Sequence, residues 1–109
     1  MGDKVLEINN DNFETEIVES GSVAMIDFYA TWCGPCKTIA PIVEELAGEY
    51  ADRGVKVAKV DIDNAQELAT RYGIQGVPTL MFFKGGEKVD QIVGAQPRPV
   101  IEKKIQDLL

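Results

Sequence analysis

One stretch of the chain, residues 23–30, is apolar at nearly every position. A strand with one face in water alternates apolar and polar side chains, whereas an unbroken apolar run is typical of a strand covered on both faces. We therefore expect residues 23–30 to form the central strand of a sheet that carries helices on both sides, which is a layered α/β architecture.

The rest of the chain supplies the remaining layers. Runs of apolar or alternating residues predict four further strands, at 5–8, 55–62, 79–83 and 88–93. Apolar side chains at helical spacing predict four helices, which start after residue 10, at the two cysteines, after residue 64 and after residue 97. Residues 84–87 have the composition of a hairpin turn. The order is βαβαβαββα, and residues 1–109 are expected to form a single α/β domain.

Two of the predicted helices carry candidate capping residues at their starts. Asp11 and Glu14 have the spacing of a capping box, in which side chains bond the free backbone N–H groups of the first turn. Asn64 precedes the short helix that contains Leu68, and we expect its side chain to cap that helix.

Asp27 is a charged residue in the middle of the apolar central strand. One interpretation is a carboxylate near the strand end that reaches solvent. The apolar neighbours on both sides favour another, a buried carboxyl group whose pKa is raised because its charged form loses water. Such a group accepts protons near neutral pH, so Asp27 is a candidate base.

Both cysteines of the chain, Cys33 and Cys36, lie between this strand and the following helix. A zinc site needs about four ligands, and the chain has no second cysteine pair and no histidine. A structural disulfide across so small a loop stabilises a fold by about 2 kcal/mol, and cytosolic proteins rarely keep such bridges. The position favours the third interpretation, a redox-active dithiol.

A helix N-terminus is the reason for this preference. Its unpaired N–H groups and positive dipole end stabilise a thiolate, the form that attacks a disulfide. Cys33 is expected at this end, with Cys36 one turn further along the same helical face. Cys33 is therefore the candidate nucleophile and Cys36 the candidate resolving residue, while Pro35 suits the first helical turn.

Composition argues against several other classes of function. The 109 residues carry a net charge of −7 and no basic cluster that could follow a nucleic-acid backbone. No apolar run approaches the roughly 18 residues of a membrane span. The N-terminus lacks the basic and long apolar regions of a secretory signal. We expect a cytoplasmic protein that binds neither nucleic acid nor membrane, and nothing in the sequence requires more than a monomer.

Four stretches of the sequence resemble the thioredoxin family, namely residues 28–37, 57–61, 76–80 and 93–95, in the expected order and across essentially the whole chain. The first includes Trp32-Cys33-Gly34-Pro35-Cys36. The resemblance implies the thioredoxin fold, a central mixed five-stranded sheet flanked by four helices. It also implies a protein-disulfide oxidoreductase that works as a general reductant by reversible dithiol–disulfide exchange and electron transfer. Its implied partners are thioredoxin reductase and disulfide-containing client proteins, and it would need no cofactor or metal.

The resemblance assigns roles around the cysteines. In the family, the aspartate that matches Asp27 deprotonates the second cysteine, here Cys36. The lysine that matches Lys59 lies near that aspartate, which implies that it tunes a pKa; the alternative is a surface lysine whose stem packs on the fold. Gly34 and Pro35 are expected to set the redox potential in favour of reduction.

The resemblance also implies an apolar rim for extended substrate segments, formed by Trp32, Ile74, Val77, Pro78, Gly94 and Ala95. Pro78 matches a cis proline that faces the disulfide in the family, whereas alone it predicts only the first residue of a strand. Gly94 and Ala95 alone would indicate an ordinary strand-to-helix turn. One departure is Tyr29, which stands where many members carry a second tryptophan.

Two other functions stay open. Related disulfide oxidases and isomerases tend to carry a histidine between the cysteines, so Gly34 and Pro35, together with the missing signal sequence, favour the reductant. A non-catalytic subunit that uses the same fold to bind a partner is the alternative outside redox chemistry. The intact loop at residues 32–36, with Asp27 behind it, argues against that alternative.

Overall fold

The computed structural model describes residues 4–109, and its strands form one mixed five-stranded sheet. The strands are β1 (Val5–Glu7), β2 (Val23–Tyr29), β3 (Val55–Asp61), β4 (Thr79–Lys84) and β5 (Glu87–Val93). Their order is β1-β3-β2-β4-β5, with β2 parallel to β3 and antiparallel to β4. The apolar run therefore forms the central strand, as predicted.

Four helical segments cover the two faces of the sheet. They are a π-helical segment (Glu14–Glu19), α1 (Gly34–Tyr50, extended by a 3₁₀ turn at Ala51–Arg53), α2 (Gln66–Arg71) and α3 (Arg98–Gln106). None of the helices within residues 4–109 has the length and apolarity needed to cross a bilayer.

Each face of the sheet buries its own apolar cluster. The π-helical segment and α2 pack on one face, through a cluster that includes Phe13, Ile17, Ile26, Phe28, Leu68 and Phe83. The helices α1 and α3 pack on the other, through a cluster that includes Met25, Ile39, Leu46, Leu80, Phe82 and Ile101. Alternate residues of β2 belong to opposite clusters, which explains why this strand is apolar throughout.

The predicted capping residues are wrong at both helices. Asn9 Oδ1 accepts hydrogen bonds from the N–H groups of Asp11 (2.8 Å) and Asn12 (3.2 Å), so Asp11 lies inside a turn. The N-cap of the helical segment is Phe13, and no side-chain bond caps it. The first turn of α2 is bonded from a distant loop: Asn10 Oδ1 accepts from Leu68 N–H at 3.2 Å. No Asn64 side-chain bond caps α2.

The hairpin between β4 and β5 follows the prediction. Gly85 and Gly86 take φ values of 63° and 81°, which glycine adopts without strain and which suit a two-residue hairpin turn. A Cβ atom on Gly86 would lie 2.8 Å from the carbonyl oxygen of Val18, so close approach requires glycine there as well.

Candidate active site

Cys33 and Cys36 form a disulfide at the start of α1. Cys33 is the N-cap residue, and its Sγ atom accepts a hydrogen bond from the backbone N–H of Cys36 at 3.1 Å. This sulfur occupies the place that a serine or aspartate oxygen takes at an ordinary helix N-cap. Both cysteines are almost fully buried, with 5% and 4% of their surface exposed.

The position of Cys33 favours its thiolate form once the disulfide is reduced. The first turn of α1 offers backbone donors that have no partner within the helix, together with the positive end of the helix dipole. Pro35 occupies the second helical position, where its missing N–H costs no hydrogen bond. Gly34 and Pro35 are both exposed, so a partner protein can reach the loop between the two sulfurs.

Asp27 lies on the face of the sheet that α1 covers, and only 5% of its surface is exposed. Its Oδ1 atom is buried and has no hydrogen-bond partner among residues 4–109. Burial raises the pKa of this carboxyl group from 3.8 to about 7, against the opposing charge of Lys59. Asp27 therefore changes protonation state near neutral pH.

One cleft joins Asp27 to the disulfide. It has a volume of about 330 Å³, and its lining includes Asp27, Cys36, Lys37 and Lys59. A water molecule occupies about 30 Å³, so the cleft has room for waters that link the carboxyl group to the sulfur of Cys36. The structure thus brings the candidate base and the candidate resolving cysteine to one solvent-accessible space.

Lys59 is the cross-strand neighbour of Asp27 in β3. Its ammonium group forms its ion pair with Glu7 of β1, at 3.7 Å, rather than with Asp27. The same ammonium lies 5.7 Å from the centre of the Tyr29 ring. Lys59 therefore acts on Asp27 through its charge, without an ion pair between the two, and its side chain is 43% exposed.

Trp32 is the most exposed large apolar residue beside the disulfide, with 68% of its surface accessible. Its indole Nε1–H donates a hydrogen bond to Asp63 Oδ2 at 3.1 Å. Sequence reasoning missed Asp63. It follows β3, which runs parallel to β2, so both strands end at the same edge of the sheet and Asp63 could have been placed near Trp32 from that topology.

The remaining rim residues lie in the segment before β4 and in the loop after β5. The carbonyl oxygen of Val77 lies 3.7 Å from Cys33 Sγ, and the bond from Val77 to Pro78 is cis. Gly94 N–H donates to the Pro78 carbonyl at 2.8 Å, which fixes the loop after β5 beside this bend. Ile74 lines a second cleft, of about 180 Å³, and Ala95 is exposed after Gly94.

Nothing in the described part of the chain groups three His, Cys, Asp or Glu side chains so that they could hold a metal ion. The arrangement is that of a thiol pair with a nearby titratable carboxyl group. A family model described as Thioredoxin matches residues 4–107. The chain belongs to the thioredoxin family.

Individual thioredoxins match nearly the whole chain. Thioredoxin 2 of Chlorobaculum tepidum is 44% identical over 107 residues, which cover 98% of this chain and 97% of that protein. A thioredoxin of Acidithiobacillus ferridurans is 48% identical over 95 residues, or 87% of each chain. The solved structure of a mutant thioredoxin from Halobacterium salinarum has a TM-score of 0.87 at 38% identity, and the match covers 97% of this chain and 91% of that one.

These relatives and the cysteine pair establish the chemistry. The protein is a protein-disulfide oxidoreductase that acts by reversible dithiol–disulfide exchange. The fold expected from the resemblance, five mixed strands with four helices, is confirmed.

Proposed function

We propose that this thioredoxin works in the reducing direction, as a general electron donor to protein disulfides, with Cys33 as nucleophile and Cys36 as resolving residue. The single observation that carries the proposal is the geometry at the start of α1. Cys33 Sγ accepts the Cys36 N–H there, while Cys36 shares a cleft with the buried Asp27. Two chemically different environments for two neighbouring sulfurs are what a sequential exchange needs.

The first step is an attack by the Cys33 thiolate on one sulfur of a substrate disulfide. A bond forms between that sulfur and Cys33 Sγ, the substrate S–S bond breaks, and the second substrate sulfur leaves as a thiolate. The N-terminus of α1 supports this step because it stabilises Cys33 as a thiolate at neutral pH. The 5% exposure of Cys33 limits the attack to substrates that dock closely.

The second step releases the substrate. Asp27 accepts the proton of the Cys36 thiol through water in the shared cleft, and the resulting thiolate attacks Cys33 Sγ. The Cys33–Cys36 disulfide forms, the mixed disulfide breaks, and the substrate leaves with two electrons more than it brought. A pKa of about 7 suits this task, because a base works best when its pKa lies near the working pH.

Docking is assigned to the rim formed by Trp32, Val77, Pro78, Gly94 and Ala95, together with Ile74 from the second cleft. Support comes from the exposed Trp32 ring and from the Val77 carbonyl beside Cys33 Sγ, where an extended substrate segment can lie along the backbone. Gly34 and Pro35 separate the two cysteines without adding charge, and we assign them the tuning of the redox potential. Lys59 tunes Asp27 through its charge.

The wider role follows from the family. The oxidised pair formed in each cycle is reduced again by a thioredoxin reductase, and the protein acts on many disulfide-containing clients. It works as a cytoplasmic monomer and a single domain, with the cysteine pair itself as the redox group in place of a cofactor.

Cysteine variants test the mechanism. With thioredoxin reductase and a model disulfide protein, Cys33→Ser is expected to lower turnover to the uncatalysed background, because the attacking thiolate is lost. Cys36→Ser is expected to form a covalent mixed disulfide with the model protein, because the first bond forms but nothing resolves it. Mass spectrometry of the quenched reaction detects this adduct, and the doubly substituted protein, which should form none, is the control.

Other outcomes would change the proposal. Full reductant activity in both single variants would exclude this mechanism. Wild-type protein that binds the model protein without reducing its disulfide would favour a binding subunit. A measured reduction potential well above the cytosolic glutathione poise would reverse the direction and make the protein an oxidase.

A further inference from the structure

Glu7, Lys59 and Asp27 form one row across three neighbouring strands. Lys59 of β3 pairs in register with Glu7 of β1 on one side and with Asp27 of β2 on the other. All three belong to the face of the sheet that α1 covers, since Val5, Val57 and Met25, two positions earlier in each strand, pack into that cluster. One lysine thus stands between two carboxyl groups.

The lysine is held on the Glu7 side of this row. Its ammonium lies 3.7 Å from Glu7 Oε1 and above the Tyr29 ring. The Tyr29 hydroxyl in turn donates to Glu7 Oε2 at 3.5 Å. Glu7 therefore engages both neighbours at once, with one carboxylate oxygen for each. Asp27 Oδ1 is left without a hydrogen-bond partner in the described chain.

Charged or titratable groups reach the surroundings of Asp27 from α1, β1, β2 and β3, whereas its neighbour in β4 is the apolar Leu80. Helix α1 supplies Cys36 and Lys37 in the main cleft, and Glu44 in a smaller cleft that Asp27 and Lys59 also line. Strand β1 supplies Glu7, β2 supplies Tyr29 and β3 supplies Lys59. Of these, Lys59 is the charged group whose field lowers the pKa of Asp27, against the effect of burial. The pKa of Asp27 should therefore depend strongly on where the Lys59 ammonium lies.

We propose that Glu7 is a positioning residue for the exchange reaction, which holds the Lys59 ammonium on the β1 side of the cleft and away from the Asp27 carboxyl group. A lysine stem is flexible and its ammonium is a compact charge, so without Glu7 it can turn to the unpartnered Asp27 Oδ1. Contact with Lys59 would stabilise the carboxylate and make Asp27 a weaker base. The inference rests on the proposed role of Asp27 as the base for Cys36.

The test compares Glu7→Gln with Glu16→Gln. Glu16 forms the equivalent pair with Lys56, at 3.3 Å and from the opposite face of β3, so its variant removes the same charge and the same type of ion pair far from Asp27. The titration of the Asp27 carboxyl carbon is followed by NMR in the oxidised protein, where the cysteines do not titrate. The pH profile of the resolving step is measured in parallel.

The expected result for Glu7→Gln is a downward shift of the Asp27 midpoint on the order of half a pH unit, about a threefold change in the acid dissociation constant. Glu16→Gln should leave the midpoint in place. Lys59→Gln should raise it, and adding Glu7→Gln to Lys59→Gln should produce little further change, because the lysine that Glu7 positions is gone.

Two results would overturn the role of Glu7. One is an Asp27 midpoint in Glu7→Gln that does not differ from the midpoint in Glu16→Gln. The other is that Glu7→Gln shifts the midpoint equally with and without Lys59, which would mean that Glu7 acts through its own charge alone. A midpoint that shifts as expected while the resolving step keeps its pH profile would overturn the role of Asp27 as base. Failure of the positioning role and failure of the proposed function are thereby distinguished.

Discussion

Burial gives Asp27 a protonation equilibrium that an exposed aspartate does not have at neutral pH. Its neighbours in the adjacent strands are Lys59 and Leu80, so one side offers a charge at a distance and the other only hydrocarbon. Neither supplies a hydrogen bond to Oδ1. The carboxyl group is left to exchange its proton through the cleft that it shares with Cys36.

Asp27→Asn should therefore slow the resolving step far more than the initial attack. An amide keeps the shape of the side chain and cannot accept the thiol proton, and loss of a general base typically costs about 10²–10⁴-fold in rate. Stopped-flow fluorescence of Trp32, the single tryptophan, follows both steps from a position beside the disulfide. Asp52→Asn, at an exposed site after α1, is the matched control. Equal slowing of the two steps would contradict the assignment.

Among individual site residues, those that could be predicted from the sequence are the ones whose neighbouring residues in the sequence make them stand out. Asp27 interrupts an apolar run, and Cys33 and Cys36 stand at a strand-to-helix junction. Glu7 could not be found this way, because its importance depends on the pairing of β1 with β3, about 50 residues later in the chain. Its local sequence is that of any polar residue in a short strand.

Helix α2 is a secondary-structure element that local sequence also predicts only in part. It has six residues, too few to be stable by propensity alone, so its ends depend on what surrounds them. Its position could be predicted from the apolar spacing and from Gly73, which takes φ +65°. The acceptor that satisfies the N–H of Leu68 in its first turn could not, because Asn10 lies 58 residues away from Leu68.

Asn10→Ala should accordingly destabilise the protein by about 1 kcal/mol, the usual cost of losing a side-chain cap. Asn64→Ala is the informative control, since Asn64 precedes α2 directly yet does not cap it. Urea unfolding of both variants, with the slope of the transition held equal to that of the wild type, gives the comparison. A larger loss from Asn64→Ala would restore the cap expected from the sequence and contradict the bond from Asn10.

In the whole molecule, the topology gathers the reactive groups at one edge of the sheet. The parallel strands β2 and β3 both end there, so the chain leaving β2 enters the disulfide loop while the chain leaving β3 brings Asp63 to Trp32. Because β2 is the central strand, it places the disulfide loop at this edge and also buries Asp27. The burial that makes Asp27 a base near neutral pH therefore also costs stability.

That cost should appear as a dependence of stability on pH. In the unfolded chain Asp27 loses its proton near pH 4, whereas in the folded protein it keeps the proton to about pH 7. Between these values the folded state binds more protons than the unfolded state, so the free energy of unfolding falls as the pH rises. Over roughly three pH units the loss is on the order of 4 kcal/mol, and it is complete above the folded pKa.

Comparison of wild-type protein with Asp27→Asn isolates this contribution. Asp90 and Glu102 have lowered pKa values, because Lys104 and Tyr50 respectively bond their carboxylates, and they stabilise the fold as the pH rises past their unfolded values. Both residues are present in both proteins, so their effect cancels in the difference. Urea unfolding of the oxidised proteins should therefore give a stability advantage for Asp27→Asn that is smallest near pH 4, grows towards about pH 7 and then stays constant. Parallel stability curves would mean that Asp27 has the same pKa in the folded and the unfolded protein, and would remove the basis for its role as a base.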